Sequence, residues 1–223
     1  MNRSNKMNTN NYTPVTVNDI VYGSEESKLR IEEIVDGHIP FPFFGKCAIL
    51  LYGTFGTGKT TLAKIIPNAI EVGKTKEELA MEAEFIACQQ GFTGPQVMTL
   101  IQKQMAVSSF NASGLHYFIL DEVDNLTKQA QQSLKSALNT QRAIFVLTTN
   151  NISQLDKGLM DRCVLVEMNA AKPAQLSPLA KQVANDMNVV LNDIDLHSVI
   201  AACNGSVRNV AYNVARFARR KSI

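Results

Sequence analysis

The sequence predicts an α/β fold, a five-stranded parallel sheet with helices on both faces, followed by a small all-α lid. Three observations carry this reading. Five short apolar runs recur along the chain, helical patterns separate them, and beyond residue 170 only helical periodicity remains. The runs do not alternate polar with apolar, which is how strands covered on both faces read. Strand and helix in alternation give a doubly wound sheet. With 223 residues, 45% hydrophobic and 19% charged, the chain falls outside the disordered, collagen-like and membrane classes.

Taken in order, residues 1–11 are rich in asparagine and read as a frayed tail. An α/β core is expected over 12–170 and the lid over 171–223. The strand candidates are 47–52 (CAILLY), 84–88 (EFIAC), 117–120 (YFIL), 144–147 (IFVL) and 163–166 (CVLV). A helix carrying Leu62, Ile65 and Ile66 is expected to end at Pro67. Thr75 and Glu78 have the spacing of a capping box ahead of Leu79 and Met81, and Ala130, Leu134 and Leu138 are spaced by four. In the lid, Pro173 breaks the chain, and Ser177 followed by Pro178 reads as a helix start leading to Leu179, Val183 and Met187. A second helix carries Leu196, Val199, Ile200 and Cys203 and stops at Gly205. A third, from Ser206, buries Val207, Val210, Ala211, Val214, Phe217 and Ala218.

The 22 basic and 20 acidic side chains leave a net charge of +2, too small to identify a nucleic-acid binder by bulk electrostatics. Four cysteines without a CxxC pair argue against a zinc site or a disulfide framework and for a reducing, intracellular setting. No apolar run is long enough to cross a membrane, and the N-terminus lacks an apolar signal core. His38, His116 and His197 are unclustered and receive no metal role.

Chemistry concentrates after the first strand. Gly53-Thr54-Phe55-Gly56-Thr57-Gly58-Lys59-Thr60 fits G-x-x-x-x-G-K-[ST] at every defined position. Its glycines let successive backbone amides point at phosphates, and the following helix adds the positive end of its dipole. Lys59 supplies charge for the outer phosphates, Thr60 is placed to ligate Mg²⁺, and Thr61 adjoins them. The run 115–120 delivers Asp121-Glu122-Val123-Asp124 to the carboxyl edge of the sheet, where ligands of open α/β folds bind. Asp121 suits the metal, Glu122 suits the base that polarises water toward the γ-phosphate, and Asp124 suits a solvated cap. The plainer alternative is a helix N-terminus enriched in acids.

Asn150, at the end of the fourth strand, is suited to hold the attacking water or a γ-phosphate oxygen, with a turn asparagine as the alternative. Arg162 precedes the last strand. It suits phosphate oxygens, on a neighbouring subunit if functional, and otherwise pairs with Asp161. Arg208 is a cation in the first turn of a helix, against the dipole, and such departures from local rules are expected at functional sites. From the lid it can report whether ATP or ADP is bound.

Together these motifs resemble the AAA+ ATPases, and within them the clamp-loader clade of small replication factor C subunits and their phage counterparts. The lead-in Tyr12 to Gly23 resembles the family's Tyr-Arg-Pro-Lys-x-x-x-Asp-Ile-Val-Gly segment, so Ile20 and Val21 are implied to border the adenine. Asp121 to Asp124 and Ala130-Gln131-Gln132-Ser133-Leu134-Lys135 are similar to Asp-Glu-Ala-Asp and Ala-Gln-Gln-x-Leu-Arg. Asn150, Asp161-Arg162-Cys163 and Gly205-Ser206-Val207-Arg208 match the first sensor, the arginine finger and the second sensor. An aspartate stands where the finger motif has serine, and Thr13 and Val15 stand where the lead-in has basic residues.

The resemblance implies ATP and Mg²⁺ as cofactors and an oligomer of neighbouring AAA+ subunits. It also implies a sliding clamp or helicase as partner, primer-template DNA as the nucleic acid, and no membrane. The setting is the cytoplasm, at a nucleoid or phage replisome, or the nucleus in a eukaryote. The family's third, ring-holding helical domain is not expected. The helix at 96–105 is expected either to face the clamp through Val97, Met98 and Ile101 or to pack on its own sheet. The basic end Arg216, Arg219, Arg220 and Lys221 suits phosphate or a helix C-terminus. The leading reading is an ATP-hydrolysing replication motor. Alternatives are a helicase-loader or transposition-type ATPase, or an assembly module switched by nucleotide. A small-molecule kinase fits less well with paired acids and a helical lid.

Overall fold

A computed structural model describes residues 12–91 and 93–221; the expected tail at 1–11 lies outside the described residues. Five strands, β1 (Ala48–Tyr52), β2 (Glu84–Ala87), β3 (His116–Asp121), β4 (Ala143–Thr149) and β5 (Cys163–Glu167), form one parallel sheet in the order β2-β3-β4-β1-β5. Helices α1 (Glu25–Val35) and α2 (Lys59–Thr75) cover one face. Helices α3 (Gly94–Met105), α4 (Lys128–Ala137) and α5 (Lys157–Asp161) cover the other. Within β1, Ile49 and Leu51 point into the first core, Ala48 and Leu50 into the second. Both faces being dry, the strand is apolar throughout.

Helices α6 (Pro173–Asp186), α7 (Asp193–Ala201) and α8 (Val207–Lys221) pack around a third cluster that includes Leu176, Val183, Ile200, Val210 and Val214. Tyr12 and Val21 of the lead-in lie against it. Lead-in and α6 are tied twice: Tyr12 Oη donates to Asp186 Oδ2 at 2.5 Å, and Gln175 Nε2 donates to the Tyr22 carbonyl at 2.8 Å. Burial and Asp186 push the Tyr12 phenol up to about 12.

The structure corrects three local expectations. α2 does not end at Pro67 but runs through it to Thr75, because Leu62, Ala63, Ile66 and Ile70 form one fully buried stripe on both sides of the proline. Burial of that stripe outweighs the lost backbone hydrogen bond. No helix starts at Thr75. Its hydroxyl donates to the Glu71 carbonyl at 2.9 Å and accepts from the Glu77 amide at 3.1 Å, closing α2 instead. Helix α6 begins with Pro173 at its first position, where Gln175 Oε1 accepts from the Lys172 amide at 2.8 Å, and Pro178 lies inside it. Leu176, ahead of Pro178, is buried with Ala180 and Val183, so the same stripe argument applies. In α3, Val97 and Ile101 are buried against the chain's own sheet, the packed alternative of the two.

Glu71 is fully buried in α2, yet its carboxylate accepts from the Ser113 amide (2.8 Å), Ser113 Oγ (2.6 Å) and Tyr117 Oη (2.7 Å). These bonds satisfy the charge and fix α2, which carries the phosphate loop, against β3, which carries the acids.

Candidate nucleotide site

Register explains why scattered sequence motifs meet. Tyr52 of β1 stands beside Thr149 of β4, and Leu120 of β3 beside Leu147 of β4. The segments that leave these parallel strands, Gly53 to Gly58, Asp121 to Glu122 and Asn150, therefore emerge together at the carboxyl edge. The loop from Gly53 to Gly58 folds tightly, with Thr57 Oγ1 donating to the Thr54 carbonyl at 3.0 Å. Glycine is required where it passes other chain segments. At Gly53 (φ +143°) a β-carbon would stand 2.4 Å from the Met168 carbonyl oxygen, and at Gly56 (φ +77°) 2.2 Å from Ser206 Oγ. Phe55, at the loop tip, is 75% exposed.

Lys59 opens α2 and is almost wholly buried. Its ammonium donates to the carbonyls of Gly53 (2.9 Å) and Thr54 (2.6 Å). Burial lowers its pKa, and the carboxylates of Asp121, Asp124 and Glu122 oppose that shift. Thr60 Oγ1 donates to Asp121 Oδ1 at 2.9 Å. The same carboxylate oxygen accepts from Thr148 Oγ1 at 2.6 Å, and Thr148 Oγ1 in turn accepts from the Glu122 amide at 2.9 Å. Glu122 has left-handed backbone (φ +59°), a cost of about 1–3 kcal/mol for a residue with a side chain. Its two carboxylate oxygens accept from Asn150 Nδ2 (3.4 Å) and Asn125 Nδ2 (3.2 Å), so an exposed acid is held between two amides.

Hydroxyl and carboxylate oxygens on Thr60 and Asp121, 2.9 Å apart and beside the phosphate loop, are the few hard donors that Mg²⁺ takes from protein when phosphate oxygens and water supply the rest. The residues present fit that ion. Asp124 is not a solvated cap as expected: its Oδ1 is buried with no hydrogen-bond partner among the described residues.

The third cluster reaches the phosphate loop directly. The Val207 amide, at the start of α8, donates to the Gly56 carbonyl at 3.0 Å, and Ser206 occupies the space beside Gly56. Arg208 follows on the exposed first turn of α8. A cavity of about 510 Å³ opens between the lead-in, the loop and α6, lined by Ile20, Val21, Gly58, Thr61, Leu179 and Val207 among others. Ile20 and Val21 thus border a space continuous with the phosphate loop.

Arg162 lies elsewhere. It caps α5 ahead of β5, whose first residue pairs with the first residue of β1, so it stands at the amino edge of the sheet. The length of β1, roughly 16 Å, separates it from its own phosphate loop. Its guanidinium donates to Asn139 Oδ1 (2.9 Å) and the Gly158 carbonyl (2.8 Å), and not to Asp161.

Sequence reasoning passed over Thr148, which joins Asp121 to Glu122, and, though it placed Ser206 at the start of a helix, it passed over the seating of that residue beside Gly56. A hydroxyl residue that ends an apolar run was the available signal for Thr148. Nothing local signals the contact of Ser206 with the loop.

Among the described residues, no helix is long and apolar enough to cross a membrane. Residues 49–169 match the family model "ATPase family associated with various cellular activities (AAA)". Replication factor C small subunit 2 of Pyrobaculum islandicum is 26% identical over 200 residues, 88% of this chain and 59% of that protein. Replication factor C subunit 5 of Homo sapiens is 25% identical over 203 residues, 88% of this chain and 56% of that one. The chain thus spans less than two thirds of these relatives. The fold resembles the RuvB Holliday junction branch migration motor of Thermotoga maritima, with a TM-score of 0.66 over 94% of this chain and 64% of that one at 19% identity. A matched core covering the phosphate loop, the paired acids and Asn150, on a five-stranded parallel sheet, makes this chain a member of the AAA family of ATPases.

Proposed function

We propose that this protein binds ATP and hydrolyses it to ADP and phosphate, acting in DNA replication as a subunit of the clamp-loader kind. The observation that carries the reading is the linked set Thr60, Asp121, Thr148, Glu122 and Asn150 beside the phosphate loop. The loop amides and Lys59 take the phosphates, the base lies in the cavity beside Ile20 and Val21, and Thr60 and Asp121 hold Mg²⁺, which offsets phosphate charge when bound. Glu122 accepts the proton of the attacking water, and Asn150 orients that water or a γ-phosphate oxygen. The three C-terminal helices act as a lid over 171–223, with Arg208 reaching the γ-phosphate from α8. Arg162, at the opposite edge, serves the nucleotide of a neighbouring subunit.

Similarity to replication factor C subunits supports the replication setting, an assembly with other AAA+ subunits, and a sliding clamp and primer-template DNA as partners. The setting is the cytoplasm or a replisome, or the nucleus in a eukaryote. The test is Glu122→Gln. Equilibrium ATP binding is expected to persist while steady-state hydrolysis falls at least roughly 10²-fold; unchanged turnover would remove the motor reading. Gel filtration with a non-hydrolysable ATP analogue, clamp and primed DNA then identifies the partner, and co-elution with a helicase in place of the clamp would overturn that choice.

A further inference from the structure

Between α1 and β1 the chain makes a hairpin that the nucleotide site does not use. Phe43 and Lys46 exchange both backbone hydrogen bonds at 2.9 Å across the two-residue turn Phe44-Gly45. Such turns call for left-handed backbone at both central positions, and asparagine or aspartate usually takes the first. Here the first is Phe44, at φ +46° and 90% exposed. Its ring meets that of Phe43 edge to face, with centroids 4.5 Å apart and Phe43 itself 46% exposed. A large apolar pair at a loop tip, in a conformation that disfavours its residue type, is not explained by the fold of one chain.

The hairpin is fastened to the Arg162 turn. Lys46 Nζ donates to the carbonyls of Asp161 (2.7 Å) and Cys163 (2.9 Å), the residues on either side of Arg162. Whatever approaches Arg162 therefore also approaches Phe43 and Phe44. On the other edge of the molecule, the exposed aromatic of the phosphate loop is Phe55. An arginine on one edge that serves a nucleotide on the other is a head-to-tail contact, and it brings these two edges of different copies together.

We propose that Phe43 and Phe44 form an aromatic anchor that docks on the phosphate-loop edge of a second copy of this chain, with Phe55 as part of the receiving surface. This rests on the reading that Arg162 serves a neighbouring subunit. The anchor gives the contact buried apolar area at the centre of a polar interface, where aromatic residues concentrate binding energy. Lys46 sets the anchor and Arg162 in fixed relation, so docking of one positions the other.

The experiment is sedimentation velocity with ATP in the Glu122→Gln background, comparing Phe44→Ser with the unaltered hairpin. Phe44 is exposed, so the fold is retained, and a thermal melt checks this. Self-association is expected to weaken by about tenfold or more, as for a central aromatic. Undiminished association of Phe44→Ser overturns the anchor. A second readout fixes the geometry: a short thiol-reactive cross-linker should join Phe44→Cys protein to Phe55→Cys protein and leave Phe44→Cys protein alone unjoined. Joining of Phe44→Cys to itself would show a symmetric contact and overturn the proposal. Recovery of hydrolysis on mixing Lys59→Ala and Arg162→Ala proteins tests the underlying reading separately. Recovery with undiminished association of Phe44→Ser removes the anchor alone. No recovery, with no self-association of the unaltered hairpin, removes both.

Discussion

The carboxyl and amino edges of the sheet carry polar residues of opposite charge and hold them in different ways. At the carboxyl edge, Thr60, Asp121, Thr148, Glu122, Asn125 and Asn150 are bonded to one another, and Asp121 and Glu122 already have donors. At the amino edge, Arg162 and Lys46 donate only to neutral oxygens, and neither pairs with a carboxylate among the described residues. The first edge is a preorganised acidic site whose needs a cation and phosphates can meet. The second holds positive charge in position without neutralising it, which suits a contact whose anion comes from outside the chain. On the proposed reading, in which Arg162 serves a neighbour's nucleotide, the site would be complete only where two copies meet.

The sharpest way to break this comparison is Arg162→Ala. Turnover is expected to fall roughly 10³-fold, as for other arginines supplied to a phosphoryl-transfer site. ATP affinity of the dilute protein should stay the same, because the residue lies at the far edge from its own loop. Mixing with Lys59→Ala should restore part of the activity, since intact residues from each then face one another. Turnover near the unaltered level, or no recovery at any mixing ratio, would show that the edges do not cooperate.

A smaller change sharpens the account of the carboxyl edge. Thr148→Val keeps the shape but removes the donor to Asp121 and the acceptor of the Glu122 amide. Leaving that amide unpaired costs about 1–3 kcal/mol of stability. Turnover should drop about tenfold through misplacement of Glu122, with nucleotide affinity little altered. A denaturant melt with a kcat and KM measurement separates the two effects. Loss of affinity with unchanged kcat would mean that Thr148 serves phosphate binding instead.

The carboxyl edge was largely legible in the sequence, whereas at the amino edge Arg162 was legible and its hairpin neighbours were not, for physical reasons. Strands dry on both faces leave unbroken apolar runs, so β1, β3 and β4 could be read locally with the motifs at their ends, and the shorter runs of the edge strands β2 and β5 were legible beside them. The phosphate loop needs its residue types at fixed spacing, because one loop and one helix turn make the whole cradle. Helix limits at Pro67 and Pro178 differ from the local reading because burial of a stripe on both sides of each proline decides them. Thr148 acts through a neighbouring strand, Ser206 through a separate helix cluster, and Lys46 through carbonyls 115 and 117 positions away. Contacts of that range leave no period and no motif.

The least perturbing probe uses thiols that the two edges influence with opposite sign. Burial pushes Cys47 up to about 11 and Cys88 and Cys163 up to about 12. Near the carboxyl edge, Asp121, Asp124 and Glu122 raise Cys88 further. At the amino edge, the Thr140 backbone and Arg162 pull Cys47 back down, and Lys46 and Arg162 do the same for Cys163. At pH 8 all three remain protonated, and the thiolate is the reactive form, so an alkylating reagent should modify them only at the rate of unfolding. Prompt native labelling of any of them would contradict the packing described. Each folded value lies above the ordinary 9.0, so the stability these thiols contribute is present below pH 9 and lost as pH rises through 11–12. Arg162→Ala removes the opposing charge from Cys47 and Cys163 but not from Cys88. It should therefore raise the folded values of that pair a little further and deepen the loss of stability at pH 11–12 through the amino-edge pair alone, which melts carried to pH 12 beside the unaltered protein can resolve.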